Sequence, residues 1–239
     1  MRRRQTRARQ AVEMSAAVGS AQGEAAAPED DVDGAERRTA TAAVAAPSTD
    51  AADESAVEHW RDQVLREPSN VMARRRLARV FELRGEPLLA MEHLEAARSI
   101  QPDNVELIVE LANSLIGLRR FDPAERELRR ALKLQPDNAH VHLGLGVISF
   151  RRGLYAQAEQ ELRRALELEG GSADAYFYRG EALNQLSRVD EAIDMLLRAT
   201  QLDPGNARAY YMMGILYDKK GRPQEAAAMY RKAREVGAA

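Results

Sequence analysis

Prolines at positions 68, 102 and 136 stand 34 residues apart, and Pro204 lies two further periods after Pro136. The position between them in this series is Gly170, also a turn-forming residue. Three columns of small residues keep the same phase. Ala78, Ala112, Gly146, Gly180 and Gly214 form the first, and Ala90, Ala124, Ala158, Ala192 and Ala226 the second. Ala97, Ala131, Ala165, Ala199 and Ala233 form the third. Self-similarity at a fixed period of this length marks an array of stacked supersecondary units, none of which buries its apolar face alone.

Each unit reads as two helices. Ile108, Leu111, Ala112 and Leu115 make an apolar stripe at helical spacing. The segment Arg119-Arg120-Phe121-Asp122-Pro123 then reads as a turn, with Asp122 expected to cap the next helix and Pro123 to take its first position. That second helix carries Ala124, Leu128, Ala131, Leu132 and Leu134. Gly85, Gly153 and Gly221 occupy the same turn in other units, where a left-handed C-cap is expected. Small residues in both helices let their backbones approach closely, which accounts for the Ala and Gly columns without any chemistry.

These residues resemble the tetratricopeptide repeat (TPR) pattern of W-x2-L-G-x2-Y, A-x3-F and P at 34 residues. The third unit has His142, Leu145, Gly146 and Ser149, then Ala158, Leu162 and Ala165. The fifth has Tyr210, Met213, Gly214 and Tyr217, then Ala226, Tyr230 and Ala233. The first has Arg74, Leu77, Ala78 and Phe81, then Ala90, Leu94, Ala97 and Pro102. The resemblance implies an all-α, right-handed α-solenoid of about five helix pairs, over 71–104, 105–138, 139–172, 173–206 and 207–239. It also implies a concave groove lined by the first helices.

A further helix is expected over 55–68. Ser55 and Glu58 form a capping box, Val57, Trp60 and Val64 share a face, and Pro68 ends the run. This helix is expected to cap the array. Residues 1–54 differ sharply, with sixteen Ala and no Leu, Ile, Phe, Trp or Tyr. Too little apolar surface is available there to offset the entropy of ordering, so this segment is expected to be a disordered tail. Its first ten residues hold five Arg, and residues 11–54 hold ten acids and two Arg. No Leu-rich core follows the basic start, so it does not read as an export signal, and a cytoplasmic location is expected.

The pattern has departures. Arg74, His142 and Arg179 stand where apolar residues are preferred, with stems expected to pack and polar ends to reach water. Gly170-Gly171-Ser172 replaces the Pro-Asp/Gly-Asn turn, and greater flexibility is expected there. The sequence ends on its fifth pair, leaving Ala227, Met229, Tyr230 and Val236 expected to be partly uncovered.

Enzymatic chemistry finds no support. There is no Cys, hence no thiol nucleophile or Cys-ligated metal. His140 and His142 are two apart and point to different helix faces, so no metal pair is expected. Gly144-Leu145-Gly146 lies inside a helix and is no phosphate loop. Glu125 with Arg129, and Glu159 with Arg163, fall at the favourable four-residue spacing and read as a solvated, salt-bridged face. A formal net charge of -2 gives no reason to expect nucleic acid. The longest apolar stretch, Leu107 to Leu118, contains Glu110 and Asn113 and is too short to span a bilayer. No catalytic residue, metal, cofactor or small-molecule substrate is expected.

The resemblance implies that function lies in the groove. Reading its groove positions onto this chain places Arg75 and Arg79 in the first unit. The second offers Val109, Asn113 and Ile116, and the third Leu143, Val147 and Phe150. The fourth offers Phe177, Glu181 and Asn184, and the fifth Tyr211, Ile215 and Asp218. One end is basic, the middle apolar, and the far end aromatic and mildly acidic. Some family members clamp a terminal carboxylate with Lys, Arg and Asn, a set this chain does not match, since Glu106 and Glu110 follow Arg75 and Arg79. An apolar trough suits a hydrophobically anchored peptide or helix. The expected function is therefore a non-enzymatic scaffold for an apolar or amphipathic segment of a protein partner. The alternative is a structural protein that forms homo-oligomers through its uncapped last helix.

Overall fold

The computed structural model describes residues 54–238, and its regular structure is eleven α-helices. A single helix, α1 (Glu54–Arg66), precedes five helix pairs. The first pair is α2 (Val71–Leu83) with α3 (Pro87–Ile100), and the second α4 (Val105–Gly117) with α5 (Phe121–Leu134). The third is α6 (Ala139–Arg151) with α7 (Tyr155–Leu168), and the fourth α8 (Ala173–Gln185) with α9 (Val189–Leu202). The fifth is α10 (Ala207–Lys219) with α11 (Pro223–Gly237). Each helix packs chiefly on its neighbours in the chain, and successive first helices also touch, which is the connectivity of a solenoid. No strand occurs among the described residues.

The tail expected over 1–54 lies outside the described residues, except for Glu54. That residue opens α1 and pairs with Arg84 at 2.7 Å. Ser55 is therefore inside the helix and not at its cap. Val57 is buried, and Trp60 and Val64 pack against the same core, so α1 covers the start of the first pair.

The first helices all begin alike. Asn70, Asn104, Asn138, Ser172 and Asn206 precede them at the 34-residue period. Their side chains accept from the N–H groups of Ala73, Leu107, Val141, Ala175 and Ala209 at 3.0, 3.3, 3.2, 3.2 and 2.9 Å. Each satisfies one of the donors that a helix start leaves unpaired. The second helices have no side-chain cap. The cap expected at Asp122 is displaced, since α5 begins at Phe121 and Asp122 sits in its first turn. The turn is tighter than anticipated, closed by the Arg120 N–H donating to the Leu115 carbonyl at 2.8 Å. There the Asp122 carboxylate favours the positive end of the helix dipole.

The turn inside each pair uses a left-handed residue. Gly85, Gly153 and Gly221 have φ of 72°, 75° and 66°, as expected. Arg119 and Ser187 hold the same column with φ of 57° and 62°. With a Cβ, that conformation costs roughly 1–2 kcal/mol per residue.

Close approach within the pairs is direct. A Cβ on Gly146 would lie 2.6 Å from Cγ of Leu162, and one on Gly180 would lie 2.9 Å from Cγ of Leu196. The core falls into two clusters, one running from Val57 to Ile148 and the other from Val147 to Ala233.

Gly170 and Gly171 do not use the left-handed region, and Ser172 caps α8 as the asparagines cap their helices. Glu169, at φ -144° and ψ 101°, is extended in the way a residue before proline must be. Gln101 and Gln135, which do precede prolines, have φ of -125° and -137°. Gly170→Pro is therefore expected to stabilise the chain by about 0.4–1 kcal/mol in denaturant unfolding, by restricting the unfolded state. In the unsubstituted chain, amide exchange at 170–172 should exceed that at the Pro102 and Pro136 turns; equal protection would refute the expected flexibility. Ser187→Gly relieves the strained turn and should also raise stability, by roughly 0.5–1 kcal/mol once the entropy of a freer unfolded chain is subtracted.

Candidate functional site

The groove positions lie on α2, α4, α6, α8 and α10, where the 34-residue period repeats one helical face from pair to pair. In the first pair Arg75 reaches across to α4. It donates to Glu110 at 2.5 and 3.0 Å and pairs with Glu106 at 3.1 Å. The hydrogen bonds to Glu110 hold its guanidinium above the ordinary arginine range. Arg79 is half-buried near Glu82. Burial pushes the Glu82 carboxyl up, and the Ser114 hydroxyl, donating at 2.5 Å, opposes that rise.

The middle of the face is apolar but not uniformly open. Val109 and Val147 are buried within the core, while Asn113, Ile116, Leu143 and Phe150 are half-buried. Ile116 packs against both core clusters, and Leu143 and Phe150 against the second.

At the fourth pair Phe177 is only 3% exposed. Arg208 from α10 covers it, with its guanidinium 5.0 Å from the ring centroid. Arg208 also donates to Glu181 at 3.1 and 3.2 Å, and Glu181 is itself buried. Asn184 accepts from Lys219 Nζ at 3.0 Å. In the last pair Tyr211 is 46% exposed and Ile215 half-buried. Tyr211 leans on Tyr230, whose hydroxyl donates to exposed Asp218 at 2.7 Å. Burial and then that hydrogen bond push the Tyr230 phenol up to about 12. Arg208 went unread in the sequence. Its only signal was its place in the column of Glu106, His140 and Asp174, at the N-terminal end of each first helix.

Neighbours satisfy the three polar departures, with the Arg74 and His142 Nε2 contacts at exposed positions and Arg179 drawn inward. Arg74 donates to the Pro68 carbonyl at 2.9 Å. His142 faces the Pro136 carbonyl at 3.1 Å and Glu161 at 2.8 Å. Arg179 donates to Glu159 at 2.9 Å, and both side chains are largely buried. Glu159 thus serves Arg179 of the next pair and not Arg163, because its side chain points into the junction. Glu125 does pair with Arg129, at 2.6 Å. His140 lies 3.7 Å from Glu169, so the two histidines turn to different partners. Among the described residues no group of three or more His, Asp or Glu could hold a metal, and no helix is long and apolar enough to cross a membrane.

Two family models, both described as tetratricopeptide repeat, match the chain. One matches residues 109–172 and 150–207, the other residues 183–238. Together they span more than half of the sequence. No curated protein matches. Among solved structures, a crystal structure of MamA is 25% identical with a TM-score of 0.56, over 67% of this chain and 94% of that one. MamA 41-end from Desulfovibrio magneticus RS-1 is 20% identical with a TM-score of 0.57, over 70% and 94%. YrrB, described as a TPR protein with an unusual peptide-binding site, is 22% identical with a TM-score of 0.53, over 76% and 93%. The last two likenesses show a shared fold.

Asp174, in the column of Arg208, is half-buried in the first turn of α8. Burial first, and the nearby Asp203 carboxylate second, push its carboxyl from 3.8 up to about 6. The unfolded chain ionises this group at lower pH than the folded chain does. Folding stability from Asp174 is thus full below about pH 4 and falls as pH rises through 6. Asp174→Asn should gain about 1–2 kcal/mol over the parent at pH 7 in denaturant unfolding, after allowance for partial solvation. The gain should vanish below about pH 4.

Proposed function

Because the chain belongs to the tetratricopeptide repeat family, we propose that it is a non-enzymatic scaffold whose groove holds an apolar or amphipathic segment of a protein partner. The supporting observation is the run of half-buried apolar side chains, Ile116, Leu143 and Phe150, on the first helices of the second and third pairs. A half-buried apolar side chain on a shared face still gains by being covered. Charged groups flank that run. Arg75 is already held by Glu106 and Glu110, and Arg208 by Glu181, so neither offers a free cation to a terminal carboxylate. That favours apolar anchoring over a carboxylate clamp. At the far end, exposed Tyr211 beside Asp218 suits an aromatic contact with a polar edge.

The burial pattern narrows which groove positions serve a partner directly. Phe177, Val109 and Val147 act as the floor beneath it, and Ile116, Leu143, Phe150 and Tyr211 act as its surface. Self-assembly through α11 has less support. Met229 and Val236 pack against the core, and the exposed positions of α11 include Ala227 and the charged Arg231, Lys232, Arg234 and Glu235.

Replacing Ile116, Leu143 and Tyr211 by serine should preserve helicity by circular dichroism. It should abolish capture of the partner retained by the parent chain from its native cell. A folded triple variant that captures the same protein equally well would refute the groove reading.

A further inference from the structure

Phe81, Leu115, Ser149, Leu183 and Tyr217 share one column of the 34-residue period. Four are large, and the third is a serine. In the first pair the surroundings of the large side chain are defined. Phe81 is 2% exposed, its ring stacks on His93 of α3 at 5.6 Å, and Arg61 of α1 lies 5.6 Å over it. Two periods on, the columns of Arg61 and His93 are occupied by Arg129 of α5 and Glu161 of α7. The third pair therefore keeps the arginine of the Phe81 slot, has an acid where the stacking imidazole stood, and lacks the ring.

That slot is a cavity of about 250 Å³. Leu132, Leu145 and Ile148 give it apolar walls, and Glu125, Arg129, Ser149, Gln157 and Glu161 give it polar ones, with Arg129 paired to Glu125 at 2.6 Å. Ser149 is 5% exposed, and among the described residues its hydroxyl makes no hydrogen bond. Arg129, with 66% of its side chain exposed, stands where the cavity meets solvent. Leu145, Ile148 and Ser149 lie on the opposite side of α6 from Leu143 and Val147, at helical periodicity, so this cavity is separate from the groove. It also sits where the first core cluster, ending at Ile148, meets the second, beginning at Val147. A dry cavity of about 150 Å³ admits benzene, so this volume admits a phenol ring.

We propose that this cavity is a docking slot for one tyrosine side chain of a partner protein. The ring takes the place that Phe81 takes in the first pair, beneath the Arg129 guanidinium. Its hydroxyl meets the unpartnered Ser149 and the carboxylate of Glu161. Residues 1–54 of this chain contain no Phe, Trp or Tyr and cannot supply the ring.

The test uses the full chain and N-acetyl-L-tyrosinamide, followed by methyl NMR. Saturable shifts are expected at Leu132, Leu145 and Ile148, with none from N-acetyl-L-alaninamide. Ser149→Leu places in the slot the residue that the second and fourth pairs use. It should weaken tyrosinamide binding at least tenfold while raising Tm. Arg129→Ala, at the exposed mouth, should leave Tm unchanged and weaken binding several-fold. Absence of saturable shifts, equal shifts from the alanine amide, or undiminished binding by either variant would overturn the proposal. Binding of p-cresol without tyrosinamide would also overturn it, by showing a slot for a small free phenol and not for a partner's residue.

Discussion

Everything in this molecule rests on how closely the two helices of a pair can approach. Gly146 and Gly180 lie where an added Cβ would press into Leu162 and Leu196, so the leucine of one helix fills the space left by the glycine of the other. Ala78 and Ala112 in the first helices, and Ala90, Ala124, Ala158, Ala192 and Ala226 in the second, are likewise buried small residues. Interiors are close-packed, so such contacts admit little variation. Once the helices of a pair are locked, each pair presents a fixed face to the next, and stacking buries what one pair leaves open. The small aromatic share of the chain follows from this, since leucine against alanine or glycine needs no ring.

Adjacent pairs are then joined by long, partly buried ion pairs. Arg75 with Glu110, Glu159 with Arg179, and Arg208 with Glu181 each bridge one pair to the next. Burying a charge is costly unless it is paired and hydrogen-bonded, and an apolar substitute of similar shape is often as stable. What these pairs add is orientation. A guanidinium held at two or more points fixes the register between helices in a way that a leucine does not. Arg208 shows the consequence for the groove. By lying on Phe177 and holding Glu181, it turns two positions of the groove face into supporting structure.

Much of the fold was legible because its determinants are local or periodic. The period announces the pairs, the glycines at 85, 153 and 221 announce the turns, and the apolar stripe of α4 announces its inward face. Asn70, Asn104, Asn138 and Asn206 were also visible as a column, yet their role as caps emerges only once the helix starts are located. The groove was less legible. Position on a helix face says where a side chain starts and not what lies over it. Phe177 and Tyr211 share a column, yet one is buried and the other nearly half exposed. The difference is that Arg208 covers Phe177 from the following first helix, and no first helix follows α10 among the described residues.

The sequence by itself determined the all-helical repeat, the number of helix pairs and the face each helix turns inward. Those properties depend on residue spacing along one chain, and spacing is fully written there. Only the tertiary structure decided which charges meet, which groove side chains remain open and where the core falls short of filling its own frame. Partners such as Arg75 and Glu110, or Arg208 and Phe177, lie about thirty residues apart, and several acids or rings compete for each arginine. Packing geometry makes that choice. The cavity beside Ser149 is the same case in reverse, because one serine in a column of larger residues matters only when neighbouring helices do not close over it.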